Sequence, residues 1–296
     1  MRLTQPEIIQ LPKILDKRGN LTFIEELKHV PFEIRRTFWI YDVPGGETRG
    51  GHAYKTSEEF IIALSGSFDV ILDNGNKKTS YSLNRSYYGL YVPAGTWRHM
   101  ENFSTNALAL VLSSTLYNEG DYMREYTDFL NYNIPTDWIQ NNSIKKILKQ
   151  PIGDSKSSTV SDCSLIDLDI NHRDKGNITV FENKKTLPFD IQRIYYLYDI
   201  PGGETRGGHG HKVLQQLVIA ASGSFDVILD DGHVRKTVAL NRPYHCLNII
   251  PGIWREITNF SSGSICLVIA SELYSESDYI RDYKYFLKFK DDPSLI

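Results

Sequence analysis

The chain has 296 residues, a formal net charge of −3, 41% hydrophobic residues and 23% charged residues, an ordinary globular composition with no long basic run to favour nucleic acid as a partner. It contains no apolar stretch long enough to cross a bilayer as a helix and no signal-peptide pattern at its start, so we expect no membrane partner. Three cysteines without CxxC spacing argue against a disulfide framework and predict a cytoplasmic protein, and the length predicts two domains.

One sequence unit is written twice along the chain. The stretch PGGETRGGH occurs at 44–52 and 201–209, and the stretch SGSFDVILD occurs at 65–73 and 222–230. Both pairs are 157 residues apart, as are Trp97 and Trp254. A constant offset predicts two domains of one fold. We place the first domain at residues 1–135, a Ser-, Asp- and Gly-rich linker at 136–162, and the second domain at 163–296.

Short apolar runs, rich in β-branched and aromatic residues, follow one another through the first unit. In chain order they are RTFWIYDV, EEFIIALSG, SFDVILD, GLYVPAG and ALALVLSS. Such runs are typical of strands, and the Asn-Gly pair at 74–75 and the Asp-Gly pair at 231–232 are strong hairpin signals. Many short, evenly spaced strands predict a jelly roll or β-barrel of the cupin type.

The period of the pattern changes near the end of each unit. Aromatic residues there recur at positions i, i+4 and i+7: Tyr122, Tyr126 and Phe129, and then Tyr279, Tyr283 and Phe286. This spacing predicts one amphipathic helix with an apolar stripe. The predicted fold class is therefore all-β, with two tandem cupin domains that each have a short C-terminal helix.

The repeated loop ends differently in the two units. His209 and His211 flank a glycine in the second unit, whereas His52 and Tyr54 flank an alanine in the first. Residues i and i+2 of a strand point to the same face, so we expect His209 and His211 to project together. Two adjacent imidazoles are suited either to metal ligation or to proton transfer.

A cupin metal site needs a His-x-His pair, a glutamate a few residues later and a third histidine near a Pro-x-Gly turn. In the second unit, Gln215 stands where we expect the glutamate and Glu256 where we expect the histidine. The first unit has Glu58 and His99, but Tyr54 replaces its second histidine. Because neither ligand set is complete, we expect no metal and favour proton transfer.

Each unit resembles the sugar 3,4-ketoisomerases, cupin enzymes that act on dTDP-4-keto-6-deoxy-D-glucose. The resemblance covers nearly all of each half and depends on RIYYLYDIPGGETRGGHGHK at 193–212, SGSFDVILDDG at 222–232, PGIW at 251–254 and SELYSESDYIRDY at 271–283. In that family a base removes a proton from carbon 3, an enediol forms and a proton is delivered to carbon 4, without a metal or organic cofactor. The products feed the 3-amino-3,6-dideoxy sugars of bacterial surface polysaccharides, including lipopolysaccharide O-antigen.

The resemblance also implies roles for individual residues. It implies that His209 is the main acid/base and His211 its partner, and the offset makes His52 and Tyr54 their counterparts. An arginine just before the histidine pair would hold a carbonyl or phosphate oxygen. The residues predicted to bind the dTDP-linked keto sugar are Arg206, Arg49, Tyr196, Arg193, Trp254, Trp39 and Arg36.

The chain departs from the family in two ways. Family members are usually single-domain homodimers, whereas this chain fuses two copies, which would allow an intramolecular pseudo-dimer. Tyr54 is the second departure, because a phenol with a pKa near 10 is a poor base at pH 7. We therefore expect the second domain to be the better candidate for converting dTDP-4-keto-6-deoxy-D-glucose to a dTDP-3-keto-6-deoxy-hexose. The alternatives are a non-catalytic tandem cupin that binds nucleotide sugars and a metal-dependent cupin enzyme.

Overall fold

A computed structural model of the chain describes residues 4–132, 154–183 and 185–291. The predicted linker at 136–162 is described only from residue 154 onward, and its earlier part lies outside the described residues. Strands make up nearly all of the regular structure. The strands of the first half are β1 (Glu7–Gln10), β2 (Lys13–Ile14), β3 (Asn20–Glu25), β4 (Arg36–Tyr41), β5 (Arg49–Tyr54), β6 (Glu59–Ser65), β7 (Phe68–Asp73), β8 (Lys78–Leu83), β9 (Tyr88–Val92), β10 (Trp97–Glu101), β11 (Leu108–Ser113) and β12 (Tyr122–Met123).

The second half repeats this series. Its strands are β13 (Ser164–Asp167), β14 (Ile170–Asn171), β15 (Asn177–Glu182), β16 (Arg193–Tyr198), β17 (Arg206–His211), β18 (Gln216–Ser222), β19 (Phe225–Asp230), β20 (Arg235–Leu240), β21 (His245–Ile249), β22 (Trp254–Thr258), β23 (Ile265–Ala270) and β24 (Tyr279–Ile280). The helices are α1 (Tyr126–Asn131) and α2 (Tyr283–Asp291), and single 3-10 turns occur at Glu119–Asp121, Val160–Asp162 and Glu276–Asp278.

The chain forms two compact units, and each contains a short segment from the other half of the sequence. As far as they are described, unit 1 consists of Met1–Leu11, Glu26–Leu148 and Ile170–Asp190, and unit 2 consists of Pro12–Glu25, Lys149–Asp169 and Ile191–Ile296. The boundaries at residues 135 and 163 stay a prediction about where the sequence repeats begin and end.

Unit 1 has two antiparallel sheets with an apolar core between them. The larger sheet has the strand order β1-β9-β6-β11-β4-β15-β14, and the smaller has the order β12-β5-β10-β7-β8. Alternate residues of each strand face the core, as Phe38 and Ile40 of β4 and Val70 and Leu72 of β7 do. The other faces of these strands carry a second set of side chains.

Unit 2 has the same architecture. Its larger sheet has the order β13-β21-β18-β23-β16-β3-β2, and its smaller sheet has the order β20-β19-β22-β17-β24. Tyr195 and Leu197 of β16 and Val227 and Leu229 of β19 line its core. The predicted all-β fold with two tandem cupin domains is confirmed.

Local signals in the sequence account for the turns of the smaller sheets. The predicted hairpins are present as the antiparallel pairs β7–β8 and β19–β20. Gly75 and Gly232 lie in these turns with φ of 87° and 96°, a conformation that favours glycine. No helix in the described ranges is long and apolar enough to span a membrane.

The closing helix of each unit begins later than the aromatic spacing predicts. Tyr126 and Tyr283 are the first residues of α1 and α2, whereas Tyr122 and Tyr279 lie in the short strands β12 and β24. The prediction was wrong for these two tyrosines because each pairs with the end of the histidine-bearing strand: Tyr122 lies opposite Tyr54 in the β5–β12 register. Both tyrosines consequently belong to the candidate site.

Candidate active site

The Gly-Gly pair of the repeated loop forms a bulge that sets the position of the first histidine. In β17 the register with β22 shifts between Gly207 and His209, and Gly207 has a φ of 87°. A Cβ at Gly207 would lie 2.8 Å from an Arg255 Nη and 2.9 Å from the Arg255 carbonyl oxygen, closer than real contacts allow. Only glycine satisfies both requirements, which explains this part of the motif.

His209 is buried with one ring nitrogen bonded and the other free. Its Nδ1 lies 3.1 Å from the Gly207 carbonyl oxygen, which can only accept, so the ring proton is on Nδ1. Its Nε2 is buried and has no hydrogen-bond partner among the described residues. Burial, together with the positive charge of Arg255, lowers the pKa of His209 well below its ordinary value. The ring is therefore neutral at pH 7, with an open lone pair on Nε2.

His211 lies beside His209 on the same face of β17, as predicted. The two ring centroids are 4.9 Å apart at an interplanar angle of 89°. His211 Nδ1 lies 2.8 Å from Asp278 Oδ2, and His211 Nε2 lies 3.1 Å from Gln216 Nε2. Burial lowers the pKa of His211 to about 4, because it outweighs the opposing effect of the Asp278 carboxylate.

Aromatic and cationic groups surround the two histidines. The Tyr279 ring lies 4.9 Å from the His209 ring and 4.4 Å from the His211 ring, and the Arg281 guanidinium stacks 4.3 Å from the Tyr279 centroid. Arg193 is buried, and its Nε has no hydrogen-bond partner among the described residues. An unpaired buried N–H is a candidate donor to a ligand oxygen.

Arg206 is held by the segment of the first repeat that belongs to unit 2. One Nη donates to the Gly19 carbonyl oxygen at 2.7 Å and lies 3.7 Å from a carboxylate oxygen of Asp16. Burial lowers the pKa of Arg206, but it remains a cation at neutral pH. Because one side of the guanidinium is fixed, its orientation is set before any anion binds.

Unit 1 has the counterpart site with different polar groups. His52 is buried, its Nε2 also has no hydrogen-bond partner in the described part of the chain, and its pKa is lowered well below the ordinary value by burial. Tyr54 donates to Tyr122 Oη at 3.1 Å, and burial raises the pKa of Tyr54 well above 10. Tyr54 is therefore a neutral phenol that cannot act as a base at pH 7.

The two arginines of unit 1 that were predicted to bind substrate are also buried. Arg36 donates to Tyr122 Oη at 3.4 Å, and its Nε has no partner among the described residues. Burial, followed by the nearby charge of Arg173, lowers the pKa of Arg49. Arg36 therefore lies with the aromatic cluster of the site, as Arg193 does in unit 2.

Three of the residues predicted to bind substrate face away from the histidines. Tyr196 and Trp39 are fully buried, but the core residues of their strands are their neighbours Tyr195 and Phe38, which have the opposite side-chain direction. Trp254 packs with α2 in a separate apolar cluster. The structure thus does not bring these three together with His209.

Sequence reasoning missed several residues of the unit 2 site, and for the glutamine the error was one residue along the chain. Gln216, not Gln215, contacts His211, whereas Gln215 donates to Asn248. The missed residues are Tyr195, Gln216, Arg255, Asp278 and Tyr279. A comparison of the two repeats at core-facing positions would have found two of them, because Tyr195 and Gln216 correspond to Phe38 and Glu59 at the offset of 157 residues.

His99 likewise proves to be no partner of His52. It lies 3.3 Å from Glu101 and lines a cleft of about 250 Å³ with Trp97 and Tyr126. Its neighbour Arg98 instead donates to Glu59, so alternate residues of β10 point in opposite directions. Among the described residues, no group of three or more His, Cys, Asp or Glu side chains could hold a metal ion.

Comparison with known proteins supplies the family. The family model FdtA, described as WxcM-like, C-terminal, matches residues 4–134 and again residues 161–291. The chain belongs to the FdtA family. It contains two copies of the FdtA domain, in agreement with the repeat in the sequence and with the two units of the fold.

Single-domain relatives match one copy. The TDP-4-oxo-6-deoxy-alpha-D-glucose-3,4-oxoisomerase of Aneurinibacillus thermoaerophilus is 43% identical over 126 residues, which are 43% of this chain and 91% of the relative. A 3,4-ketoisomerase structure from Helicobacter canadensis is 43% identical, covers 44% of this chain and 98% of its own, and has a TM-score of 0.44. The TDP-quinovose 3,4-ketoisomerase WlaRB of Campylobacter jejuni is 42% identical, covers 44% and 100%, and has a TM-score of 0.42.

These comparisons confirm two predictions made from the sequence. The resemblance to sugar 3,4-ketoisomerases is confirmed by the FdtA match and by the Aneurinibacillus relative. The chain is an enzyme of the isomerase class.

Proposed function

We propose that this chain is a nucleotide-sugar 3,4-ketoisomerase acting on TDP-4-keto-6-deoxyglucose, with its principal proton-transfer site in unit 2. The observation that carries the proposal is His209, a buried neutral imidazole whose Nε2 has no partner among the described residues. A free imidazole lone pair in a buried site is suited to accept a proton from a substrate held against it. The name of the Aneurinibacillus relative supports the choice of substrate.

The reaction needs only proton transfers. His209 Nε2 takes the proton from carbon 3 while the carbon 4 carbonyl oxygen becomes a hydroxyl, which gives the enediol. The carbon 3 hydroxyl then loses its proton and becomes the ketone, and carbon 4 receives a proton. Two protons leave and two are added, so no oxidant or reductant is required. General acid–base catalysis by a positioned side chain is typically worth about 10²–10⁴ in rate.

Two arginines of unit 2 are suited to the negative charge of the substrate. Arg206 is already oriented by Gly19 and Asp16, so it can receive an oxygen of the diphosphate without losing much side-chain freedom. Arg193 has a buried Nε–H without a partner among the described residues, and we assign it to an oxygen of the sugar or diphosphate.

We assign unit 1 a smaller share of turnover. His52 retains the free Nε2, but its neighbour is the neutral phenol of Tyr54. In unit 2 the buried Arg255 donates to the neutral Gln216. In unit 1 its counterpart Arg98 is neutralised by Glu59 at 2.8 Å. Unit 1 therefore lacks the second imidazole, although Arg49 and Arg36 remain available to an anion.

The test uses the two histidines as matched variants. Wild type, His209→Asn and His52→Asn are incubated with TDP-4-keto-6-deoxyglucose in deuterated water, and products and deuterium exchange are followed by NMR. We expect His209→Asn to lower turnover by about 10²–10⁴ and His52→Asn to change it little. No new keto sugar with wild type would refute the activity, whereas equal losses in both variants would refute the assignment to unit 2.

The proposal also includes the cellular role of the enzyme. We expect a cytoplasmic enzyme whose product enters the synthesis of deoxy sugars for surface polysaccharide. Purified protein that catalyses no exchange yet binds the nucleotide sugar would favour the non-catalytic alternative.

A further inference from the structure

A chain of hydrogen bonds connects the buried arginine Arg255 to the partly buried aspartate Asp278 through His211. Arg255 Nε donates to Gln216 Oε1 at 2.8 Å, and Gln216 Nε2 lies 3.1 Å from His211 Nε2. His211 Nδ1 lies 2.8 Å from Asp278 Oδ2. Arg255, Gln216 and His211 are all less than 5% exposed, so water does not compete for the bonds among these three residues.

The two ends of this chain fix the direction of every bond in it. Arginine can only donate, so the oxygen of the Gln216 amide faces Arg255 and its NH₂ group faces His211. An ionised carboxylate can only accept, and the pKa of Asp278 is lowered by its bonds to His211 and to backbone amides, although burial raises it. His211 therefore has its proton on Nδ1 and accepts from Gln216 at Nε2.

Tyr195 is the third hydrogen-bond partner of the Gln216 amide. The second N–H of Gln216 donates to Tyr195 Oη at 3.1 Å, and Arg255 donates to the same oxygen at 3.0 Å. Both N–H groups and the oxygen of the amide thus have partners. A rotation that turned the amide oxygen toward His211 would place N–H groups against Arg255, so the orientation is strongly specified.

Unit 1 shows what happens when the second histidine is absent. Glu59 replaces Gln216, Tyr54 replaces His211 and Phe38 replaces Tyr195, whereas the arginine is retained as Arg98. Arg98 now makes two bonds of 2.8 Å to the Glu59 carboxylate. The aspartate is also retained, as Asp121, but it accepts from residues 56 and 57.

We propose that Gln216 and Asp278 are positioning residues that hold His211 as the neutral Nδ1–H tautomer with its Nε2 lone pair filled, leaving His209 as the member of the histidine pair with a free ring nitrogen. This inference deepens the proposed function and rests on it for the catalytic consequence. A cationic His211 would lie 4.9 Å from His209, centroid to centroid, and would oppose proton uptake there. The Gln216 NH₂ group, which faces His211, prevents this because it can only donate and cannot accept a hydrogen bond from a protonated Nε2.

A carboxylate at position 216 should reverse this arrangement. In Gln216→Glu the new carboxylate would accept from His211 Nε2 while Asp278 accepts from Nδ1, so the ring would become an imidazolium. The control is Gln215→Glu, one residue earlier, where Asn248 can rotate its amide to donate to the new carboxylate. The control introduces the same charge immediately before the same strand, at a residue whose amide bonds to Asn248 and not to His211.

The experiment reads the tautomer directly and needs no substrate. Protein labelled with ¹⁵N-histidine is studied by two-bond ¹H–¹⁵N correlation at pH 7, with a His211→Asn spectrum for assignment. We expect Nδ1–H with unprotonated Nε2 in wild type and in Gln215→Glu, and two protonated nitrogens in Gln216→Glu. A wild-type His211 protonated at Nε2, or doubly protonated, would overturn the proposal even if Gln216→Glu did not fold.

Kinetics separate the positioning role from the proposed function. If wild type is an active isomerase, Gln216→Glu and Asp278→Asn should each lower kcat by about tenfold or more with a smaller change in KM. The Gln216→Glu profile should recover toward high pH as the imidazolium loses its proton. Unchanged kcat in both variants would refute the positioning role, whereas an inactive wild type with the expected tautomer would refute only the proposed function.

Discussion

The buried Arg98–Glu59 pair of unit 1 allows a stability prediction whose size follows from the structure. The two side chains are 2% and 1% exposed and share two bonds of 2.8 Å, and Arg98 makes a third bond to the Gly50 carbonyl oxygen at 3.0 Å. Removal of one partner of such a pair leaves a buried charge without compensation and costs about 3–5 kcal/mol. We therefore expect Glu59→Gln to lower the free energy of unfolding of unit 1 by that amount.

Unit 2 indicates how the loss can be recovered. There a glutamine suffices for Arg255 because Tyr195 supplies a second oxygen, which Phe38 lacks in unit 1. A hydrogen bond to a charged group contributes about 1.5–3 kcal/mol, so Glu59→Gln/Phe38→Tyr should recover roughly that much. Urea denaturation, monitored through hydrogen exchange of peptides from β10, would measure the free energy of unfolding of unit 1 specifically. A loss below about 1 kcal/mol, or no recovery in the double variant, would show that the arginine is not held as we describe.

Three further predictions concern the two sites. In a His209→Asn background, Tyr54→His alone should restore little turnover. Adding Glu59→Gln and Phe38→Tyr should restore measurably more, because the new imidazole then has a glutamine partner, and equal rates in NMR assays would contradict this. Arg206→Ala should raise KM for the nucleotide sugar at least about tenfold, with partial recovery in Arg206→Lys; an unchanged KM in steady-state kinetics would remove the arginine from the binding site. Finally, the free energy of unfolding should fall by about 3 kcal/mol as the pH decreases from 6.5 to about 4, because the pKa of His211 is about 4 in the folded protein and the unfolded chain takes up the proton first. Urea titrations of His211→Gln at the same pH values should show a shallower fall.

The sequence was sufficient for the architecture and for the histidine pair, because both follow from regular patterns. The offset of 157 residues gives two copies, and the short strands with Asn-Gly and Asp-Gly turns give the sheets. The alternation of side chains correctly places His209 and His211 on one face of β17. These inferences need only the alternation of side chains along a strand and the repeat in the sequence.

The partners of the histidines could not be predicted with the same rules. Asp278 contacts His211 from a position 67 residues away, and no local pattern gives that distance. For Gln216 the error was one residue, which in a strand exchanges the two faces completely. Tyr279 was assigned to a helix from its spacing, although pairing of β24 with β17 determines its conformation. Tertiary pairing thus overrode local periodicity at the site.

Both units retain the same buried arginine, but the charge of this arginine is balanced by different groups in each unit. In unit 2 the charge of Arg255 is balanced by Asp278 through two neutral groups, Gln216 and His211, so the imidazole is part of the arrangement that stabilises the charge. In unit 1, Glu59 neutralises Arg98 directly. A neutral phenol can then replace the imidazole without leaving the arginine unpaired.

This arrangement also changes the charge that a substrate would meet. Unit 1 has one more carboxylate near its retained arginine than unit 2, because Asp121 is still present in addition to Glu59. The additional negative charge disfavours a nucleotide diphosphate near the arginine of unit 1. The absence of the second imidazole and the presence of the additional carboxylate thus belong to one coupled set of replacements. We infer that unit 1 diverged as a group of interacting side chains and not through Tyr54 alone.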